Sequence, residues 1–214
     1  MLWVMLCAGA LVGGGAITVA QRLLLIMNEP AARQRLPLWL YAVGAVTGGI
    51  TGWSIHQSSQ LAASVLLVIV TSLFLVQAPI DLITHRLVRP VTYFFTASTL
   101  SAIVVDVVSA ELPRGEVVQA AVSAFMVMLL VIGVYALLHR LSPRSLGWGD
   151  VLLVAPLSLA VGYVDLGSVV VWQLIASLTG AVHALAIRCK STTASIAFGP
   201  HLLCSAWLVL LVSV

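Results

Sequence analysis

The chain has 214 residues, 61% of them hydrophobic and only 8% charged, with a formal net charge of +3. Ordinary soluble domains carry near 25% charged residues, so this composition excludes a water-soluble globular fold. Apolar stretches recur from end to end and leave no separate soluble domain, so the small positive excess reports topology and attraction to anionic lipid, not nucleic-acid binding.

Hydropathy predicts an all-α, polytopic membrane bundle of about eight helices, a single domain over residues 1–214. The first span, Leu2–Ala20, lacks a basic start and continues to Arg22 without a cleavage-site pattern, so it reads as a retained helix. Leu36–Ile55, Leu61–Ile80, Val91–Val108 and Val117–Leu138 follow, then Val151–Val164, Ser168–Ile187 and Ile196–Val214. Most approach the ~20 residues that cross ~30 Å of hydrocarbon at ~1.5 Å per residue. The sixth is short, and the loop before it is expected to dip below the surface, with Asp150 capping the recessed helix start. Glycines at 13–15 and 48–49 favour close helix packing, since no Gly-Lys-Ser/Thr follows to make a phosphate loop. Cys7, Cys189 and Cys204 are scattered, which points to neither a zinc site nor a disulfide framework. His183 and His201 fall within spans and are expected to hydrogen-bond between helices; His56 is expected in an outer loop, and His85 and His139 at the inner interface.

Loop charges orient the spans. Arg22, Arg33, Arg35, Arg86, Arg89, Arg140, Arg144, Arg188 and Lys190 fall on one side, and of the ten basic residues only Arg114 falls on the other. Short loops rich in Lys and Arg stay cytoplasmic, so this side is inside and both termini are expected outside. Asp106, Glu111, Glu116 and Asp165 then lie outside, whereas Asp81 and Asp150 lie inside at span ends.

Carboxylates at the edge of hydrocarbon are costly, and they default to functional hypotheses. Singly, each acid has a structural reading: Asp150 as a helix cap, Asp81 as a partner for Arg86. Together on one side they favour a catalytic pair, in which an ionised carboxylate takes a proton from water and a protonated one polarises a peptide carbonyl. That chemistry needs no metal and no other cofactor. The glycines of Gly147-Trp148-Gly149-Asp150 suit an active-site loop because they permit unusual dihedrals and close approach of another segment.

Three segments resemble the type IV prepilin peptidases, membrane aspartyl proteases with a G-x-G-D box. Ile80-Asp81-Leu82-Ile83-Thr84-His85-Arg86-Leu87 is similar to the family's first aspartate segment, and Leu146-Gly147-Trp148-Gly149-Asp150-Val151 to the second. Ala197-Phe198-Gly199-Pro200 is similar to its Pro-Phe-Gly-Pro near the C-terminus, and Gly14 to Leu23 resembles its first span more weakly. The resemblance implies that Asp81 and Asp150 are catalytic, that Gly147 and Gly149 form the active-site loop, and that Phe198, Gly199 and Pro200 belong to the site. It implies type IV pilin-like precursors as substrates, cut where a short basic leader meets the hydrophobic helix. Val88 stands where the family usually has Pro, Leu152 where it has Lys, and Ala197 where it has Pro. The cysteine-rich insert linked to N-methylation is missing between the first two spans, so methyltransferase activity is not expected. The competing class is a non-catalytic assembly factor or small transporter; mid-membrane acids and an internal repeat would speak for transport.

Overall fold

The structure is a computed structural model that describes residues 2–26, 36–57, 60–110, 114–142, 146–188 and 197–214. Within them the chain is all-α: α1 (Leu2–Ile26), α2 (Leu38–Gln57), α3 (Leu61–Thr84), α4 (Arg89–Ser109), α5 (Arg114–Leu141), α6 (Trp148–Val164), α7 (Leu166–Arg188) and α8 (Gly199–Ser213). Six of these, α1 to α5 and α7, are long and apolar enough to cross a membrane, which makes this a multi-pass helical membrane protein. Arg33, Arg35, Glu111, Arg144, Cys189, Lys190 and Ile196, which carry parts of the charge and span readings, lie outside the described residues.

Several helices outrun their apolar stretches. The first continues past Ala20 to Ile26, and α3 past Ile80 to Thr84, so Arg22 and Asp81 are helical. His56 lies in the last turn of α2, not in a loop, and α6 opens at Trp148, not Val151. The eighth helix begins three residues later than hydropathy indicates, at Gly199. Hydropathy measures side-chain transfer, whereas a helix stops where its backbone groups find another partner. At α3 that stop is explicit: His85 adopts the left-handed conformation (φ 50°), and its N–H closes on the Asp81 carbonyl at 2.8 Å.

The two short helices form the centre. The sixth has 17 residues and the eighth 15, about 25 and 22 Å at ~1.5 Å per residue, below a ~30 Å core. Leu153, Val154, Leu157, Leu159, Ala160 and Val161 of α6 and Leu202, Leu203, Ala206 and Leu210 of α8 are buried around their circumference. A helix apolar on all sides belongs inside a bundle, and here α3, α4, α5 and α7 supply the surround. Buried polar ties fix the register. Thr51 and Thr71 hydroxyls lie 3.1 Å apart, Trp207 Nε1 donates to Thr51 Oγ1 at 3.1 Å, and Trp172 Nε1 donates to the Leu202 carbonyl at 2.9 Å. At the edge, α1 and α2 pack antiparallel through glycine. Gly9 faces Gly48 and Gly13 faces Gly44 so closely that a Cβ on any of the four would run into the other helix. This is the small-residue packing expected where lipid offers no hydrophobic drive for association.

Candidate active site

One end of the bundle gathers the last turn of α3 and the first turns of α6 and α8. Asp81 is 5% exposed and Asp150 9% exposed, each in the end turn of its helix. The two carboxyls lie within electrostatic range of one another. Asp81 Oδ2 is buried without a hydrogen-bond partner among the described residues. The Gly199 backbone N–H lies against this carboxylate without closing a bond to Oδ2, and Arg86 is exposed. Asp81 and Arg86 form no ion pair, so pairing with Arg86 does not account for the burial of Asp81.

The glycines matter through size. A Cβ at Gly199 would sit 2.6 Å from Asp81 Oδ2 and 3.4 Å from Leu87 Cδ2. A Cβ at Gly149 would sit 3.1 Å from Leu87 Cβ. Leu87 thus plugs the space between the second and third motif segments, and Gly199 lets the α8 backbone touch the first aspartate. No glycine among the described residues has positive φ, so the dihedral freedom expected of the G-x-G-D loop is not used. Close approach is the part of that expectation the structure bears out.

Asp150 is not the N-cap. Gly147 holds that position, and Asp150, at the third helical residue, accepts from the Gly147 N–H through Oδ2 at 3.3 Å. This is the reach-back half of a capping box, and a glycine N-cap has no side chain to return the other half. Gly149 and Asp150 are therefore helical, and of the segment Leu146–Val151 only Leu146 and Gly147 precede the helix. His139 secures this entry with a 2.7 Å bond between Nδ1 and the Leu146 carbonyl, and its ring packs edge-on to Trp148.

Phe198 sits just before α8, its ring so close to α7 that a Cβ at Gly180 would lie 2.7 Å from Cε2. Pro200 occupies the first turn of α8, where a missing N–H costs nothing. In the same turn, His201 Nε2 lies 2.9 Å from His183 Nδ1 of α7, the interhelical contact expected for this pair. Among the described residues no three His, Cys, Asp or Glu side chains converge as a metal-ligand set.

An apolar groove of about 870 Å³ lies between α5 and α7. These two helices flank α6 with little packing on each other, and Tyr135 and Gln173 bridge them with a 2.7 Å hydrogen bond. The groove is floored in part by small residues of α7 (Ser177, Gly180, Ala181, Ala184), and it reaches Leu146 and Phe198 at the site.

The remaining aspartates have structural work. Tyr163 donates its hydroxyl proton to Asp106 in a short bond that ties α4 to α6. Asp165 accepts from the Ser168 N–H at 2.7 Å as the cap of α7, and the bonds from Ser168 hold its carboxyl below the usual range.

Sequence reasoning missed Leu87 as the plug and Gln77 as a neighbour of the site. Gln77 carried a readable signal, a polar side chain in an apolar run and one turn before Asp81, hence on the same helix face. No family model, curated protein or solved structure matches this chain.

Proposed function

We propose that the chain is an aspartyl endopeptidase of the prepilin peptidase type, working from the cytoplasmic face of the cell membrane. It removes the basic leader of type IV pilin-like precursors. The observation that carries this reading is the meeting of three distant segments around a buried, unpartnered carboxylate oxygen: Asp81 against Gly199, with Leu87 between Gly199 and Gly149, and Asp150 in electrostatic range. Leaving an acceptor unsatisfied in a buried site costs about 1–3 kcal/mol or more, which a structural carboxylate has no reason to sustain. A water or a peptide N–H supplied by substrate would satisfy it.

The chemistry follows from two carboxyl groups sharing a water. One, ionised, accepts a proton as the water oxygen attacks the scissile carbonyl carbon; the other, protonated, donates to the carbonyl oxygen. Collapse of the tetrahedral adduct breaks the C–N bond, and the proton taken from water is passed to the leaving amine. The helix starts of α6 and α8 surround this point with backbone N–H groups, whose dipoles favour the negative charge that develops on oxygen.

An apolar groove supports a place for the substrate. A pilin-like precursor presents a hydrophobic helix directly after the cleaved bond, and the groove between α5 and α7 runs along the membrane-spanning helices to Leu146 and Phe198, in the segments that precede α6 and α8. Small side chains on α7 allow a helix to lie close.

Co-expression with a type IV pilin-like precursor tests this reading. The expected result is a shortened product whose new N-terminus lies at the junction of leader and helix. Full-length precursor alone, in membranes that contain the intact chain, would overturn it. Orientation is checked separately: reporters fused after Arg35, Arg89, Arg144 or Lys190 should read cytoplasmic, and those near Gln57 and Arg114 external. An inverted pattern would place both acids away from uncleaved leaders and remove the proposal's basis.

A further inference from the structure

We infer that Gln77 is a positioning residue that sets the separation of Asp81 and Asp150 by clamping the loop between α3 and α4. The inference rests on the proposed catalytic pair. Gln77 is fully buried, one helical turn before Asp81. Its Oε1 accepts from the Val88 N–H at 3.1 Å, while its Nε2 donates to the Val88 carbonyl at 3.0 Å and to Thr92 Oγ1 at 3.1 Å. One side-chain amide thereby satisfies both backbone groups of a single loop residue, as a neighbouring strand would.

The consequence reaches the acids in two short steps. The loop is pinned at its start by the His85 N–H on the Asp81 carbonyl and at its end by Gln77 on Val88. Leu87 lies between the two pins, and its side chain is the plug against Gly149 and Gly199. Gly149 adjoins Asp150, and Gly199 touches Asp81. A shift of Val88 therefore moves Leu87, and Leu87 separates or releases the two segments that hold the carboxyls. Because Val88 is not a proline, its N–H needs an acceptor inside this buried region, and Gln77 is that acceptor.

Two variants probe the clamp from opposite ends. Gln77→Leu keeps roughly the volume and removes all three bonds. Val88→Pro removes the loop donor at a φ of −81° that proline tolerates, and exchanges a partly buried side chain that packs against the core around Val76 and Ile80. The direct readout is distance: spin labels on cysteines placed at Leu82 and Trp148, both about half exposed and each next to or near one aspartate, in a background without the native cysteines. Either variant should shift or broaden the 82–148 distance distribution, and the double variant should do so no more than the worse single, since both break one link. In the cleavage assay Gln77→Leu should lower kcat by about 10–100-fold with KM within about 3-fold, because a displacement near 1 Å costs that much in a positioned site, and Val88→Pro, which keeps both Nε2 bonds, should cost less. Unchanged distances and kcat in both variants at normal membrane abundance would overturn the inference. A chain that cleaves nothing yet shows the distance change would sink the protease reading and leave the clamp standing.

Discussion

Asp81→Asn and Asp150→Asn should each reduce cleavage of a pilin-like precursor by about 10²–10⁴-fold, at membrane levels equal to the parent. Asparagine keeps the shape and one acceptor oxygen but cannot cycle a proton. The double variant should be little worse than either single, because the members of a catalytic unit are not additive. The contrast with structure is clearest at Asp150. Its visible hydrogen bond, from the Gly147 N–H, is one that an asparagine oxygen also accepts, so a purely capping role predicts survival of activity. Asp106→Asn and Asp165→Asn are the controls: their bonds to Tyr163 and Ser168 lie at the opposite helix ends, and near-normal cleavage is expected. Activity retained in Asp150→Asn at normal abundance would mean that the chain is not an aspartyl protease.

Gly199→Ala should abolish cleavage almost as fully, by at least about 10²-fold, while the bundle assembles. The added methyl would have to occupy a point 2.6 Å from Asp81 Oδ2, well inside van der Waals contact, so the carboxylate or the start of α8 must move. A methyl at Gly149 meets Leu87 at 3.1 Å, a contact a leucine can relieve by a few tenths of an ångström, so Gly149→Ala should be intermediate. Gly133→Ala meets nothing within 4 Å and serves as the silent comparison. The order of the three, measured by initial cleavage rates with circular dichroism on purified protein, tests the geometry directly. Wild-type rates for Gly199→Ala would show that Asp81 need not sit where the structure has it.

Composition and hydropathy were enough to read the class and nearly all the helices. A chain in lipid must satisfy every backbone N–H and C=O inside its own segment, so the helical pattern is a local property written along the sequence. The same local logic made Asp81 and Asp150 legible, since an acid beside an apolar run has a cost that can be judged without neighbours. Local reading failed where a terminus or a contact depends on a distant partner. Hydropathy started the sixth helix at Val151, but the turn from Trp148 is helical, which moves Asp150 from the cap to the first turn. Dihedral freedom and close approach both suited the glycines of the G-x-G-D box; only the second is used, at Gly149 against Leu87, and Gly199, outside that box, is crowded in the same way by the Asp81 carboxylate. Gln77, too, is only a polar interruption until Val88 folds back onto it. What only the tertiary structure decided is therefore how the segments of the candidate site meet. Which helix ends meet is set by steric fit between segments far apart in the chain, and no local energy in either segment records it.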